Sequence, residues 1–542
     1  MDRSNATIFS TRFTAIVIAL GLLIGAAALW GANKQILGLF HDDGIYAVVG
    51  KALAQGEGYR ILSLPGAPAQ TKYPFLYSYL VSALWALDGS FPRNIWLLKS
   101  LNGAILAAIF CLAVTCYRRY FRAATVAAIF FATLVCTNPI IFGITDYLLS
   151  DLLLVLFALA ALTLSARDNA LPARFANLAL LGAVVGLACL TRTAALPLVC
   201  AGAIHSLAAR GWRGALFFLS AVILLVTPWG LWLASQGQQP VDSLLAYYSA
   251  YDVAGAGSSD GLISISRHWP IVYANGRYIA DMFDMVYLLP LLPGFGWIVA
   301  LFSLFGMFAS ARRNSLFLWS FLLSSLGLQL IWSFHPGRYL APLLPVLVLF
   351  LFRGMAWAQS RLATRAQDSP PRRWLGKLVW CPVVVMLILN GVWLSAFLLL
   401  RDPHTVRGLN GNRLPYGWAG FEESFAWLRA HAAADAVLAT AYDPMYYLYT
   451  GRRAIRPALH RPASYFYPYG HTQPDVGTVD EIKPQLIKMG IDYLIIDPMA
   501  GYAEGKATIK LFESLVQSFG DQAEPVFTSG DGKHKIFRIA RK

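Results

Sequence analysis

Apolar residues recur in eleven stretches long enough, or nearly long enough, to cross a bilayer: 13–32, 94–116, 123–140, 152–166, 175–190, 194–208, 214–234, 286–308, 315–333, 339–358 and 378–400. A hydrocarbon layer about 30 Å thick needs roughly 20 helical residues, so the pattern predicts a bundle of membrane helices. A shorter stretch, 75–87 (FLYSYLVSALWAL), has 13 residues and would rise only about 20 Å as a helix. It reads as a helix lying along one face of the membrane. Beyond residue 400 the pattern changes. Helical periodicity near 421–432 and 479–489 alternates with short β-type runs at 437–442 (VLATAY), 493–497 (YLIID) and 535–540 (KIFRIA). That mixture predicts a small α/β domain.

Basic residues set the orientation. If 75–87 does not cross, alternate connections (1–12, 117–122, 167–174, 209–213, 309–314 and 359–377) hold 16 Lys/Arg in 56 residues, against 9 in the much longer opposite loops. The positive-inside rule then places the N-terminus in the cytoplasm and residues 401–542 outside. Counting 75–87 as a span would turn the clusters YRRYFR and 359–377 outward. The expected architecture is a polytopic α-helical membrane module, 1–400, with about eleven spans and outer loops 33–93 and 235–285. An extracytoplasmic α/β domain, 401–542, follows it. In a bacterial cell this outer side is the periplasmic face of the inner membrane.

Composition alters this picture in one respect. The chain of 542 residues is 57% hydrophobic and carries a formal net charge of +15, which alone would suggest nucleic acid. Residues 1–400 hold 27 Lys/Arg against 14 Asp/Glu, whereas residues 401–542 hold 17 against 15. The excess is the topology-setting charge of the membrane part, and nucleic acid is excluded as a partner. The six cysteines lie in apolar stretches without metal-ligand spacing and read as packing residues. The segment GYAEGKAT (501–508) lacks a spacer residue of a phosphate loop and has Ala507 where Ser or Thr would bind magnesium.

With that orientation, the outer connections gather acids and bases. The first loop holds His41, Asp42, Asp43 and Lys72; the next turn holds Asp146 and Asp151; then come Arg192, Arg277 in 235–285, and His335, Arg338 and Tyr339 in FHPGRYLAPLLP. Carboxylates from two loops can supply a general base or a divalent-metal site, which would fall on Asp42 and Asp151. Arginines at a membrane mouth suit phosphate, which the planar guanidinium grips with two bonds. Structural alternatives stand beside each: Asp43 and Asp151 as helix caps, Asp146 as a solvated acid, Arg338 as an interfacial anchor. Together the acids and bases point to a lipid-phosphate substrate.

The order of motifs resembles the GT-C membrane glycosyltransferases, among them the protein O-mannosyltransferases and lipid A aminoarabinose transferases. The matching pieces are DDGIYAVVGKALAQGEGY, TKYPFLYSYLVSALWAL, SDLLLVLF and GRYLAPLLP, spread over about residues 1–360. The resemblance implies that Asp42, with Asp43 beside it, provides the catalytic base and that Asp151 is the second-loop acid. Lys72 and Arg338 would contact the lipid phosphate, with His335, Tyr339, Arg192 and Arg277 as further substrate-binding candidates. The segment TKYP departs from the family's Lys-Pro-Pro by placing Tyr73 after Lys72. The implied activity moves a monosaccharide, with inversion, from a polyprenyl-phosphate donor to a lipid, glycan or protein acceptor. No cofactor is implied beyond a divalent metal, whose need is left open. The rival reading is a transporter or flippase for a lipid-linked sugar. No two-half repeat supports it, and the acids lie at helix mouths instead of mid-membrane.

Overall fold

The apolar stretches fold as helices in the computed structural model, which describes residues 11–121, 125–168, 174–237, 240, 243–249, 265–286, 295–310, 316–332, 334, 336–365, 378–399, 405–407, 413–459, 461, 474–499 and 503–540. In chain order the helices are α1 (Thr11–Gly31), α2 (Asp42–Ala54), α3 (Leu76–Leu87), α4 (Ile95–Phe121), α5 (Thr125–Cys136), α6 (Pro139–Ile144), α7 (Asp151–Asp168), α8 (Phe175–Cys189), α9 (Leu196–Ser235), α10 (Ala246–Ser249), α11 (Ile265–Val286), α12 (Phe295–Ala309), α13 (Leu316–Ile331), α14 (Leu344–Arg365) and α15 (Cys381–Leu399). Among the described residues, five helical segments are apolar and long enough to cross a membrane: Thr11–Gly31, Ile95–Phe121, Thr193–Ser235, Gly337–Leu362 and Cys381–Leu399. Shorter apolar helices, α3, α7, α8 and α13 among them, pack between and beside them.

Two departures from the sequence pattern have local causes. The run 123–140 ends as a helix at Cys136, because Pro139 has no N–H to continue the ladder. Asn138 instead caps the short α6, its side chain accepting from the Ile140 amide at 3.0 Å. The runs 194–208 and 214–234 are two helices, together Leu196–Ser235, that meet directly across a kink at Arg210 and Gly211, the latter at φ 64°, with no longer turn between them. That break falls within the predicted basic turn, 209–213. The helix α3 has 12 residues and packs against α2 and α4.

The C-terminal part is built on a five-stranded sheet of order β4-β3-β5-β7-β6, preceded by a two-stranded ribbon of β1 (Thr405–Arg407) and β2 (Arg413–Gly417). Its strands are β3 (Val437–Ala439), β4 (Arg453–Ile455), β5 (Tyr493–Ile496), β6 (Ala523–Thr528) and β7 (Lys535–Ile539). The first three pair in parallel, and β7 runs antiparallel to both β5 and β6. Helices α16 (Ala419–His431), α17 (Asp443–Thr450), α18 (Val479–Lys488) and α19 (Ala503–Phe519) accompany them. A capping box of Thr478 and Glu481 starts α18. The segment GYAEGKAT opens α19 and not a phosphate loop: Ala503 to Thr508 are already helical.

This sheet domain rests directly on the first loop. The Ala454 amide donates to the Ser63 carbonyl at 2.7 Å. The loop before α2 runs so close beneath α17 that a Cβ at Gly38, which sits at φ 93°, would lie 2.9 Å from the Met445 Cα. One at Gly44 would lie 2.8 Å from the Pro444 side chain. Glycine at both places lets two backbones meet over the start of α2. There Asp42 and Asp43 begin the helix.

Candidate active site

The adjacent acids Asp42 and Asp43 are both buried, yet they meet different partners. The chain enters α2 through His41, a non-glycine residue at φ 62°, a backbone conformation that costs energy unless its surroundings enforce it. Asp43 turns back toward that entry. Its Oδ2 accepts from the Gly38 amide at 3.0 Å, and its Oδ1 accepts from the amides of Phe40 at 3.1 Å and Gly44 at 2.9 Å. Burial pushes its pKa up to about 6, outweighing the opposite pull of these amides and of Lys99.

Asp42 faces the other way. Its Oδ1 accepts from the Tyr73 hydroxyl at 2.6 Å, and its Oδ2 pairs with Arg338 Nη2. Burial alone would raise the pKa of Asp42, but the charges of Arg338 and Lys72 prevail and hold it well below the usual carboxylate range. Arg338 enters from the 3-10 turn Gly337–Leu343, just ahead of α14, where Pro342 and the following helix fix the backbone. Its guanidinium lies over Phe40, 4.7 Å from the ring centroid. The Nη1 is buried and faces Asp151 Oδ2 at 3.7 Å, beyond hydrogen-bond reach, and among the described residues it has no hydrogen-bond acceptor.

Asp151 begins α7 and accepts at Oδ2 from Arg192 Nη1 at 2.6 Å. Arg192 stands over Tyr339, 5.2 Å from its ring centroid. The order in space is therefore Tyr73, Asp42, Arg338, Asp151, Arg192, alternating hydroxyl, acid and base. Lys72 borders it: its Nζ donates to the Tyr247 carbonyl at 2.9 Å and sits 4.1 Å from the Tyr247 ring centroid. Burial is the main cause that lowers Lys72 to about 8, with Asp42 opposing the shift.

Next to Asp151 lies a cleft between α7, the start of α9, α13 and the turn before α14. Its lining is mostly apolar, with Leu154, Pro197, Leu198, Phe321, Leu328 and Trp332, and includes the polar Asp151, Ser325, Gln329 and Tyr339. A mostly apolar cleft with one acid in its wall, itself next to Arg192 and Arg338, suits an amphiphile whose charged head reaches those groups.

Other candidates lie elsewhere. Arg277 is exposed on α11 and, among the described residues, makes no ion pair with the cluster. His335 lies outside the described residues. Asp146 is buried, and Lys99 Nζ approaches it at 3.1 Å while also donating to the Asn33 carbonyl at 2.7 Å. This is a structural strut between α4, the α6–α7 turn and the end of α1. Removing one member of such a pair strands a buried charge. Lys99→Met will therefore lower unfolding stability by about 3–5 kcal/mol, measured by thermal or denaturant unfolding in detergent, and leave any surviving folded protein able to bind ligand.

The residues that would hold a divalent ion, Asp42 and Asp151, do not fit one in this arrangement. The Arg338 guanidinium lies between their carboxylates, and a second cation there would meet its charge. Among the described residues, no three His, Cys, Asp or Glu converge as a ligand set. The most informative residue that sequence reasoning missed is Tyr73. In the motif it is a departure, and in the fold it is the hydroxyl on Asp42.

No family model and no curated protein matches this sequence. Among solved structures, the chain superposes on ArnT from Cupriavidus metallidurans bound to undecaprenyl phosphate, with a TM-score of 0.57 and 14% identity over 98% of both chains. It also superposes on the oligosaccharyltransferase AglB from Archaeoglobus fulgidus, in complex with an inhibitory peptide and a dolichol-phosphate. That match has a TM-score of 0.54 and 12% identity, over 98% of this chain and 74% of that one. The fold is GT-C. At these identities the likeness concerns the fold, and the GT-C resemblance expected from the motifs agrees with it. Within the GT-C fold, helices and sheet domain are both included, since the match runs over nearly the whole chain.

Proposed function

We propose that this chain is an inverting glycosyltransferase that takes a sugar from a polyprenyl-phosphate donor at the outer face of a membrane, the periplasmic face of the inner membrane in a bacterium. One observation carries the reading. Arg338 is buried beside Asp151, which lines an apolar cleft, and it has one guanidinium nitrogen on Asp42 and the other without a hydrogen-bond acceptor among the described residues. A phosphate oxygen arriving from the cleft satisfies that nitrogen. Two of the solved neighbours lend support: the ArnT structure is bound to undecaprenyl phosphate, and the AglB structure is in complex with a dolichol-phosphate. The eleven-span arrangement, with residues 401–542 outside, accords with the basic connections and puts the cluster on the side where no nucleotide sugar is needed.

The chemistry follows from the pairing. In the resting site Arg338 holds Asp42 too acidic to be an effective base. When the donor phosphate takes up the Arg338 fork, Asp42 loses its strongest cation and its basicity rises toward the ordinary range. Asp42 then removes the proton from an acceptor hydroxyl or amine as that atom bonds to the anomeric carbon. The bond from that carbon to the phosphate oxygen breaks, and the phosphate leaves with the electron pair. Arg338, Arg192 and Lys72 stabilise the charge it gains. Asp151 keeps Arg192 and Arg338 side by side. A general base contributes about 10²–10⁴-fold, and positioning in the cleft supplies the remainder. The acceptor is lipid, glycan or protein, and no step passes through a metal.

The test is transfer of a radiolabelled monosaccharide from synthetic polyprenyl phosphate donors by purified protein, read together with donor affinity against pH. Only the ammonium form of Lys72 attracts phosphate, and in the free site it titrates at about 8. Donor affinity will hold steady up to about pH 7.5 and fall by up to about tenfold per pH unit above pH 8. Lys72→Arg will remove the fall. Binding and release of the donor without turnover under every acceptor tried would favour a flippase.

A further inference from the structure

We propose that Arg456, carried on the loop after β4, is a ligand of the donor phosphate, so that the sheet domain completes the site. This rests on the glycosyltransferase reading above and names a residue from the opposite end of the chain. Arg456 is 8% exposed, and its guanidinium lies 5.4 Å from the centroid of the Tyr247 ring. The same ring carries Lys72 Nζ at 4.1 Å. Its own backbone amide donates to the Tyr248 hydroxyl at 3.3 Å, which ties the β4 loop to α10. One short segment, Tyr247 and Tyr248, thus presents a lysine from the first loop and an arginine from the C-terminal domain to the same place.

That convergence is costly by itself. The charges of Arg338, Arg456 and Arg192 all bear on Lys72 and act to lower its proton affinity. A cation–ring contact is a weak attraction, whereas like charges brought together in a low-dielectric site repel strongly. Four basic groups, with Asp42 and Asp151 among them, make a site whose natural occupant is an anion. The anchorage is rigid. His41, immediately before Asp42, bonds through Nε2 to Asp443 Oδ1 of α17 at 3.0 Å, and its ring packs edge-on against Tyr247 at 4.7 Å. The domain that brings Arg456 therefore also holds the backbone from which Asp42 projects.

The experiment compares binding of polyprenyl phosphate and of the uncharged polyprenol to the full-length protein in detergent, for wild type, Arg456→Gln and Arg456→Lys. The expected result is a loss of about tenfold or more in phosphate affinity for Arg456→Gln, the value of a charge-assisted bond, with polyprenol binding unchanged. Arg456→Lys should fall between, because a point charge replaces the fork, and it serves alone if the Gln variant does not fold. Wild-type phosphate affinity in both variants overturns the assignment. So does an equal loss for phosphate and alcohol, which would make Arg456 a purely structural contact. A wild-type protein that does not prefer phosphate to alcohol would instead sink the functional reading beneath it.

Discussion

Asp42→Asn will reduce sugar transfer by about two to four orders of magnitude, the ordinary contribution of a general base, while donor binding survives. The amide keeps the shape of the carboxylate and can still accept from the Tyr73 hydroxyl, but it cannot take a proton. Arg338 loses one anionic partner and keeps Asp151 at 3.7 Å, so its grip on phosphate should not weaken. Asp43→Asn separates the two acids. Asp43, at about 6, has a pKa closer to working pH and on that ground alone would make the better base. Geometry decides against it, since both of its oxygens accept backbone amides at the entry to α2. Its amide variant presents an NH₂ to one of those donors and will lower stability by about 1–3 kcal/mol with a much smaller change in kcat per folded molecule. Turnover at matched folded protein and thermal midpoints distinguish the cases. Normal turnover in Asp42→Asn alongside collapse in Asp43→Asn would reverse the roles.

What could be read from the sequence follows physical range. Helices were legible because hydrophobic length is a local property: 94–116 became Ile95–Phe121, and 175–190 became Phe175–Cys189. The predicted basic turn at 209–213 coincides with the backbone break at Arg210 and Gly211. Strands β3, β5 and β7 were legible as short β-type runs, whereas β4, Arg453–Ile455, carries no such run around it. In the site, Asp42, Asp151, Arg192, Arg338 and Lys72 could be gathered because a membrane topology forces loops of one side together. Tyr73, Asp443 and Arg456 could not. A hydroxyl that lands on Asp42 from 31 residues away, or a carboxylate on His41 from 402 residues away, depends on tertiary packing that leaves no periodic trace. Lys99 was passed over as well, although a lysine inside the apolar run 94–116 is a local signal; only its partner Asp146 was a candidate.

Arg338→Lys will cost more than the conserved charge suggests, and the size of that cost separates a phosphate ligand from a membrane anchor. The guanidinium reaches Asp42 with one nitrogen, faces Asp151 with the other, and lies over Phe40, 4.7 Å from the ring centroid. A lysine carries one compact charge that cannot occupy both corners, and it lacks the plane that packs on the ring. Donor affinity should fall by about tenfold or more, and turnover should fall further, because the cation that steadies the leaving phosphate is also displaced. Arg338→Ala removes the charge between two buried acids. Asp151 retains Arg192 at 2.6 Å, but Asp42 is left with the Tyr73 hydroxyl and the charge of Lys72, so its pKa rises. The sign of that change gives a second readout. A group freed from a depressed pKa takes up protons at higher pH, so residual activity of Arg338→Ala should lose its acid limb at a higher pH than wild type. An interfacial anchor behaves otherwise: lysine serves almost as well as arginine in burying a stem and exposing a charge. Donor affinity and turnover of Arg338→Lys equal to wild type at matched expression would reduce Arg338 to that role and leave Lys72 and Arg192 to hold the phosphate.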